Sequence, residues 1–136
     1  LAELAAWHEA HRDGRRRLIV LGDLNIAPLP TDVWSHTQLL DVVSHTPVEV
    51  AALDRLQRAG GFVDAVRAVI PAEHKLYSWW SYRARDWAAS DRGRRLDHVW
   101  LSPALVPGLA SAGVLREARG WPQPSDHVPV SVDLDT

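Results

Sequence analysis

Three short acidic motifs, Gly22-Asp23-Leu24-Asn25, Arg95-Leu96-Asp97-His98 and Ser125-Asp126-His127, each sit at an end of an apolar, β-branched run. A buried strand that ends in a charge brings that charge to the rim of its sheet, because the apolar residues claim the interior. Three such ends meeting on one rim would gather carboxylates, an amide and an imidazole, a donor set suited to Mg²⁺ and to phosphodiester chemistry. This pattern excludes an all-helical fold and calls for an α/β chain with its chemistry at strand ends.

The rest of the chain supplies the elements around those ends. Residues 18–21 form a continuous apolar run closed by Gly22 and read as a buried strand. Pro28 and Pro30 exclude regular structure beyond it, so Asp23 and Asn25 lie at the strand end and on the loop leaving it. Residues 1–12 carry apolar residues at helical spacing before Asp13-Gly14, and residues 31–45 read as irregular. Thr46-Pro47-Val48-Glu49 predicts a helix start with N-cap, first-turn proline and capping box, running to about residue 59 before Gly60-Gly61. Residues 62–69 predict a second short helix stopped by Pro71. Strands are expected over 76–80 and 96–101, joined by a long polar loop. A weaker strand is expected over 114–118, and a half-buried one is marked by Val128, Val130, Val132 and Leu134.

At 136 residues, 46% of them hydrophobic, the chain fits one domain with one core. No apolar run approaches the roughly 20 residues that cross a bilayer, and the first 12 residues lack a signal-peptide layout. With no cysteine, any metal must be held by oxygen or imidazole, and a cytoplasmic setting fits best. With no methionine, Leu1 is not expected to be a natural start.

The net charge of −2 hides a local excess of cations. Between residues 83 and 95 stand Arg83, Arg85, Arg92, Arg94 and Arg95 against Asp86 and Asp91. They follow Tyr77-Ser78-Trp79-Trp80-Ser81-Tyr82, where adjacent tryptophans in a strand point to opposite faces, one to a core and one to a ligand. An aromatic and basic surface of this kind tracks a phosphate backbone and stacks on bases. A solvated loop beside ordinary core tryptophans is the plainer reading.

Each acidic motif likewise has two readings. Asp23 and Asn25 are common turn formers, yet Asp23 is placed to serve an attacking water and Asn25 to donate to anionic oxygens. Asp126 adds a hard oxygen ligand. His127, beside it, is either a surface-turn residue or one half of a pair in which Asp97 holds its second ring nitrogen and raises its basicity.

Taken together, residues 20–28 (VLGDLNIAP), 76–103 (LYSWWSYRARDWAASDRGRRLDHVWLSP) and 123–130 (QPSDHVPV) resemble the C-terminal half of exonuclease III-type nucleases of the endonuclease/exonuclease/phosphatase superfamily, in the family's order. The resemblance implies a four-layer αββα sandwich, of which residues 1–136 are the C-terminal portion of one domain, a mixed sheet with flanking helices. It implies Mg²⁺- or Mn²⁺-dependent 3′-to-5′ exonuclease action on double-stranded DNA, cleavage at abasic-site DNA and removal of blocked 3′ ends. Carried over by motif, Asp23 orients or deprotonates the water, Asn25 stabilises the transition state, Asp97 supports His127 against the scissile phosphate, and Asp126 contributes to the metal site. The metal-holding set is then Asp23, Asn25, Asp126 and His127. The DNA-facing set is Trp79, Trp80, Arg83, Arg85, Arg94, Arg95 and Leu96, with Trp79 and Leu96 lining the pocket for an abasic sugar. Arg94 stands where relatives carry Trp, and Ser81 where Asp is frequent.

Relatives also carry a Glu metal ligand, an Asn and a Tyr in an N-terminal half. Glu3, Glu9 and Asp13, the acidic residues before Asp23, belong to a helix and its turn instead. The expectation is therefore a chain whose partner is the other half of the same domain, with an open apolar sheet face, a tendency to associate and little activity by itself. Two other functions compete: a non-catalytic nucleic-acid-binding module, and a superfamily phosphomonoesterase for small molecules.

Overall fold

The computed structural model describes residues 1–135. Helix α1 (Ala2–Ala10) leads to strand β1 (Ile19–Asp23). The stretch expected to be irregular contains a 3₁₀ turn, Pro30–Asp32, and helix α2 (His36–Leu39), which Ser35 caps through its side chain. Helix α3 (Pro47–Gly60) follows, with both bonds of the expected capping box formed between Thr46 and Glu49. It stops at Gly61, whose φ of 64° is a left-handed turn that glycine takes without a Cβ clash.

The single helix expected over 62–69 is instead strand β2 (Val63–Asp64) followed by helix α4 (Ala65–Val69). Pairing decides this. Val63 and Asp64 lie opposite Leu101 and Trp100 of the neighbouring strand, and the Asp64 carboxylate then caps α4. Strand β3 is only Trp79–Trp80, because the Leu76 N–H donates to Thr31 and takes the chain off the ladder. The loop after it contains helix α5 (Trp87–Ser90) and strand β4 (Gly93–Arg94), the partner of β3.

Strand β5 (Asp97–Leu101) is the centre of the molecule, flanked by β1 and β2. Strands β6 (Leu109–Val114) and β7 (Val130–Leu134) form a further pair. The strand expected over 114–118 is thus displaced toward the N-terminus, and residues 116–120 form a 3₁₀ turn. The small residues Ser111, Ala112 and Gly113 carry little β propensity, and their pairing with β7 overrides it. Every strand pair among the described residues is antiparallel, so the mixed pairing implied by the resemblance is not among them.

Alternation along β5 divides the molecule. Leu96, His98 and Trp100 are buried, and Trp100 packs with Leu53, Leu56, Ala59 and Phe62 against α1 and α3. The opposite face is open: Leu21 is 66% exposed and Ile19 46%. Ile19, Leu21, Val99, Leu101, Val130, Val132 and Leu134 line an apolar groove of about 330 Å³ there. The run at 18–21, read as buried on both sides, is therefore covered on one face. No helix among the described residues is long and apolar enough to cross a membrane.

Candidate functional site

The antiparallel register of β1 and β5 places Asp23 directly opposite Asp97 at the end of the sheet. Gly22 makes the turn into that position with φ of 141°, a conformation that side chains rarely adopt. Asn25 is left-handed at φ 55°, and its N–H donates to Asp23 Oδ1 at 2.9 Å. This is the turn chemistry expected of Asp and Asn, and it also anchors the Asp23 carboxylate.

His127 arrives from the segment before β7, where a backbone bridge to Trp79 seats it. Its Nδ1 donates to Asp97 Oδ2 at 2.8 Å, which leaves Nε2 facing Asp23 Oδ2 at 3.7 Å. Asp97 Oδ2 also accepts the Ser78 hydroxyl at 2.7 Å, and Ser78 Oγ accepts the N–H groups of Leu96 and Asp97. The result is a connected line, Ser78 to Asp97 to His127 to Asp23, running from a fully buried hydroxyl to an exposed carboxylate. Partial burial alone would pull the His127 pKa down. The hydrogen bond and charge of Asp97, with the charges of Asp23 and Asp126, outweigh it and hold the imidazole above its ordinary value.

Asp23, Asp97 and His127 each offer a ligand atom within 4.8 Å of the others. Asp126 stands outside that cluster; its Oδ2 accepts the Trp79 indole N–H at 3.0 Å. All these donors are hard oxygens or imidazole, which fits a hard divalent cation held through one or two carboxylates. Ser78 escaped the sequence reading; its only signal is a small hydroxyl set within an aromatic run.

The expected DNA-facing residues divide. Arg83 and Arg85 are exposed, and Trp79 is half-buried beside Asp126. Trp80 lies in the core with its indole N–H on Asp91, so only one of the paired tryptophans faces outward. Leu96 is likewise buried, packed with Ala27, Val33 and Leu39. Arg95 is 1% exposed and fills a closed ion cluster: Nε and Nη2 on Asp32, Nη1 on Asp64, with Arg67 also on Asp32. A buried guanidinium saturated by carboxylates offers nothing to a nucleic acid, which corrects the placement of Arg95, Trp80 and Leu96 on the outer surface.

Residues 1–127 match the Endonuclease/Exonuclease/phosphatase family, and the chain belongs to it. An exodeoxyribonuclease III from Haemophilus influenzae is 29% identical over 138 residues, covering 95% of this chain and 50% of that protein. An AP endonuclease structure from Archaeoglobus fulgidus matches with a TM-score of 0.92 at 27% identity, over 99% of this chain and 52% of that one. A Neisseria 3′ phosphatase bound to product DNA hairpin matches with a TM-score of 0.87 at 31% identity, over 99% of this chain and 51% of its own. The chain spans about half the length of the curated relatives it matches.

Proposed function

We propose that the whole protein is a divalent-metal-dependent DNA-repair phosphodiesterase, with 3′-to-5′ exonuclease and abasic-site activities on double-stranded DNA. The observation that carries this reading is the line from Ser78 through Asp97 and His127 to Asp23. Ser78 and Asp97 hold the imidazole so that Nδ1 is always the protonated nitrogen toward Asp97. The cationic form then presents Nε2–H to an oxygen of the scissile phosphate, where negative charge grows in the transition state. Asp23, 37% exposed at its side chain, orients the attacking water. Asn25, one residue from Leu24 on the same turn, donates its amide to the phosphoryl oxygens.

Asp23, Asn25 and Asp126 are the residues that would hold Mg²⁺ or Mn²⁺. When bound, such a cation neutralises phosphoryl oxygens and acidifies water. We assign His127 the hydrogen-bonding part rather than a place in that set, since Asp97 holds its Nδ1 and aims the ring as a donor. Arg83 and Arg85 on the exposed loop meet the phosphate backbone.

The test is cleavage of a duplex carrying an abasic site, and of one with a recessed 3′ end, by the natural full-length protein with Mg²⁺ and with chelator. His127→Gln is expected to lower turnover by about a hundredfold or more. Undiminished DNA binding with no metal-dependent cleavage by the unaltered protein would leave a binding module in place of an enzyme.

A further inference from the structure

Residues 24–27 leave the catalytic rim as a turn, and each of them is fastened by a hydrogen bond. The Leu24 N–H donates to the Leu96 carbonyl at 3.0 Å, and the Asn25 N–H donates to Asp23 Oδ1 at 2.9 Å. The Ala27 N–H donates to the Ser44 carbonyl at 2.7 Å. Arg94 braces that acceptor segment through Nη1, which donates to the Val43 carbonyl at 2.8 Å and to Ser44 Oγ at 2.7 Å, so this cation is spent within the fold. The two carbonyls that follow Asn25 go to histidines: Ile26 accepts from His98 Nε2 at 2.7 Å, and Ala27 from His45 Nδ1 at 2.6 Å. Both imidazoles are sealed inside, at 1% and 2% exposure.

A carbonyl only accepts, so these contacts fix which nitrogen of each ring carries its proton. His98 gives that proton to the turn, and its Nδ1 has no hydrogen-bond partner among the described residues. In the neutral His45 ring Nε2 is an acceptor, and His36 Nδ1 donates to it at 2.7 Å, so a directed line runs from His36 through His45 to Ala27. An apolar side chain of similar bulk would fill either place with no polar atom to satisfy. What the imidazoles add is a donor aimed at one backbone oxygen. Asn25 needs that restraint, because its left-handed φ of 55° persists in a residue with a Cβ only where the surroundings over-determine it. Asn25 itself is exposed, so the restraint comes from the buried residues after it. His98 supplies it from β5 and His45 from the segment before α3.

We propose that His98 and His45 are positioning residues that clamp this turn and keep the Asn25 side chain in one placement beside Asp23. The proposal rests on the reading above in one respect, that Asn25 acts on the phosphoryl group. Neither histidine meets substrate. Loosening a group that acts on charge growing in the transition state lowers turnover and leaves DNA binding to other surfaces.

The experiment uses the natural full-length protein, saturating Mg²⁺ and a duplex carrying an abasic site. His98→Leu and His45→Leu are each expected to lower kcat about tenfold, with KM within about twofold of the parent. His98→Gln and His45→Asn, which return an amide N–H to the places of Nε2 and Nδ1, are expected to recover most of the loss. In an Asn25→Ala background each leucine substitution should cost less than about twofold more, since the group it positions is gone. The full loss in that background, or no recovery with the amide variants, would overturn the proposal. A second measurement needs no metal: in chelator, the backbone and side-chain amide resonances of Asn25 in ¹⁵N-labelled protein should be single in the parent and doubled or broadened in the leucine variants, while those of β6 stay in place. Unchanged Asn25 resonances would overturn it too. Should Asn25→Ala leave cleavage intact, the nuclease role of Asn25 falls, and the resonances alone decide whether the histidines hold its turn.

Discussion

Two charge clusters begin only two residues apart, at Arg95 and at Asp97, and they have opposite fates. Arg95 turns inward, where Asp32 and Asp64 engage all three of its nitrogens and Arg67 completes the set. Asp97 turns to the rim, where it holds His127 but leaves Nε2 with only a 3.7 Å approach to Asp23. The first cluster is closed and its every strong bond is spent within the fold. The second is a line with a free end, and a free end is where a substrate atom can be received. Breaking a closed buried cluster costs stability, whereas breaking an open one costs chemistry.

The largest expected effect comes from the closed cluster. Asp32→Ala strips two buried guanidiniums of their shared partner and is expected to destabilise the protein by about 3–5 kcal/mol, read from denaturant unfolding. A loss under about 1 kcal/mol would erase the contrast between the clusters. The open cluster gives the next effect. Asp97→Asn is expected to lower DNA cleavage by roughly a hundredfold while lowering the unfolding midpoint far less than Asp32→Ala does. Ser78→Ala should lower cleavage less, since it removes one bond to Asp97 and leaves the other, and should also lower the unfolding midpoint, because the Leu96 and Asp97 N–H groups lose their acceptor.

Smaller still are the pH effects, which separate two histidines on neighbouring segments. His98 is buried, donates from Nε2 to the Ile26 carbonyl at 2.7 Å, and has its pKa lowered by burial and then by the charge of Arg95. Its contribution to stability is present above the ordinary value of 6.5 and fades as pH falls toward the lowered one. His127, with its pKa raised, contributes fully below 6.5 and fades as pH rises through the folded value. Unfolding midpoints measured across this range should therefore decline on both sides of the histidine pKa. Asp97→Asn should flatten the alkaline side, and His98→Gln the acid side. The mildest expectation concerns the open sheet face: Leu21→Glu should reduce self-association of the 136-residue chain in sedimentation experiments, because it places a charge in the apolar groove.

Local signals made α3 legible to within a residue, since Thr46, Pro47, Glu49 and Gly61 each act on the backbone beside them. Strand β5 was equally legible, because its alternation separates Asp97 and Val99 from His98 and Trp100. The pair of Val63 and Asp64 was not, because a two-residue strand exists only through its neighbour β5. The same holds for β6, whose small residues are recruited by β7. At the site, Asp97 and His127 were legible as a pair because both sit at strand ends. Ser78, Arg95 and Trp80 were not, since which way a polar or aromatic side chain turns depends on partners 11 to 63 positions away: Asp91 for Trp80, Asp97 for Ser78 and Asp32 for Arg95.

The amino-acid sequence by itself determined helices α1 and α3, strands β1 and β5, the acidic strand ends and the pairing chemistry of Asp97 with His127, because hydrophobic period, turn residues and capping act over a few neighbouring positions. Tertiary structure alone decided which charges were closed inside and which were left open. The carboxylates that saturate Arg95 and the hydroxyl that steadies Asp97 come from distant segments, and only the folded register of β1, β5 and the β3–β4 pair brings them within hydrogen-bond reach.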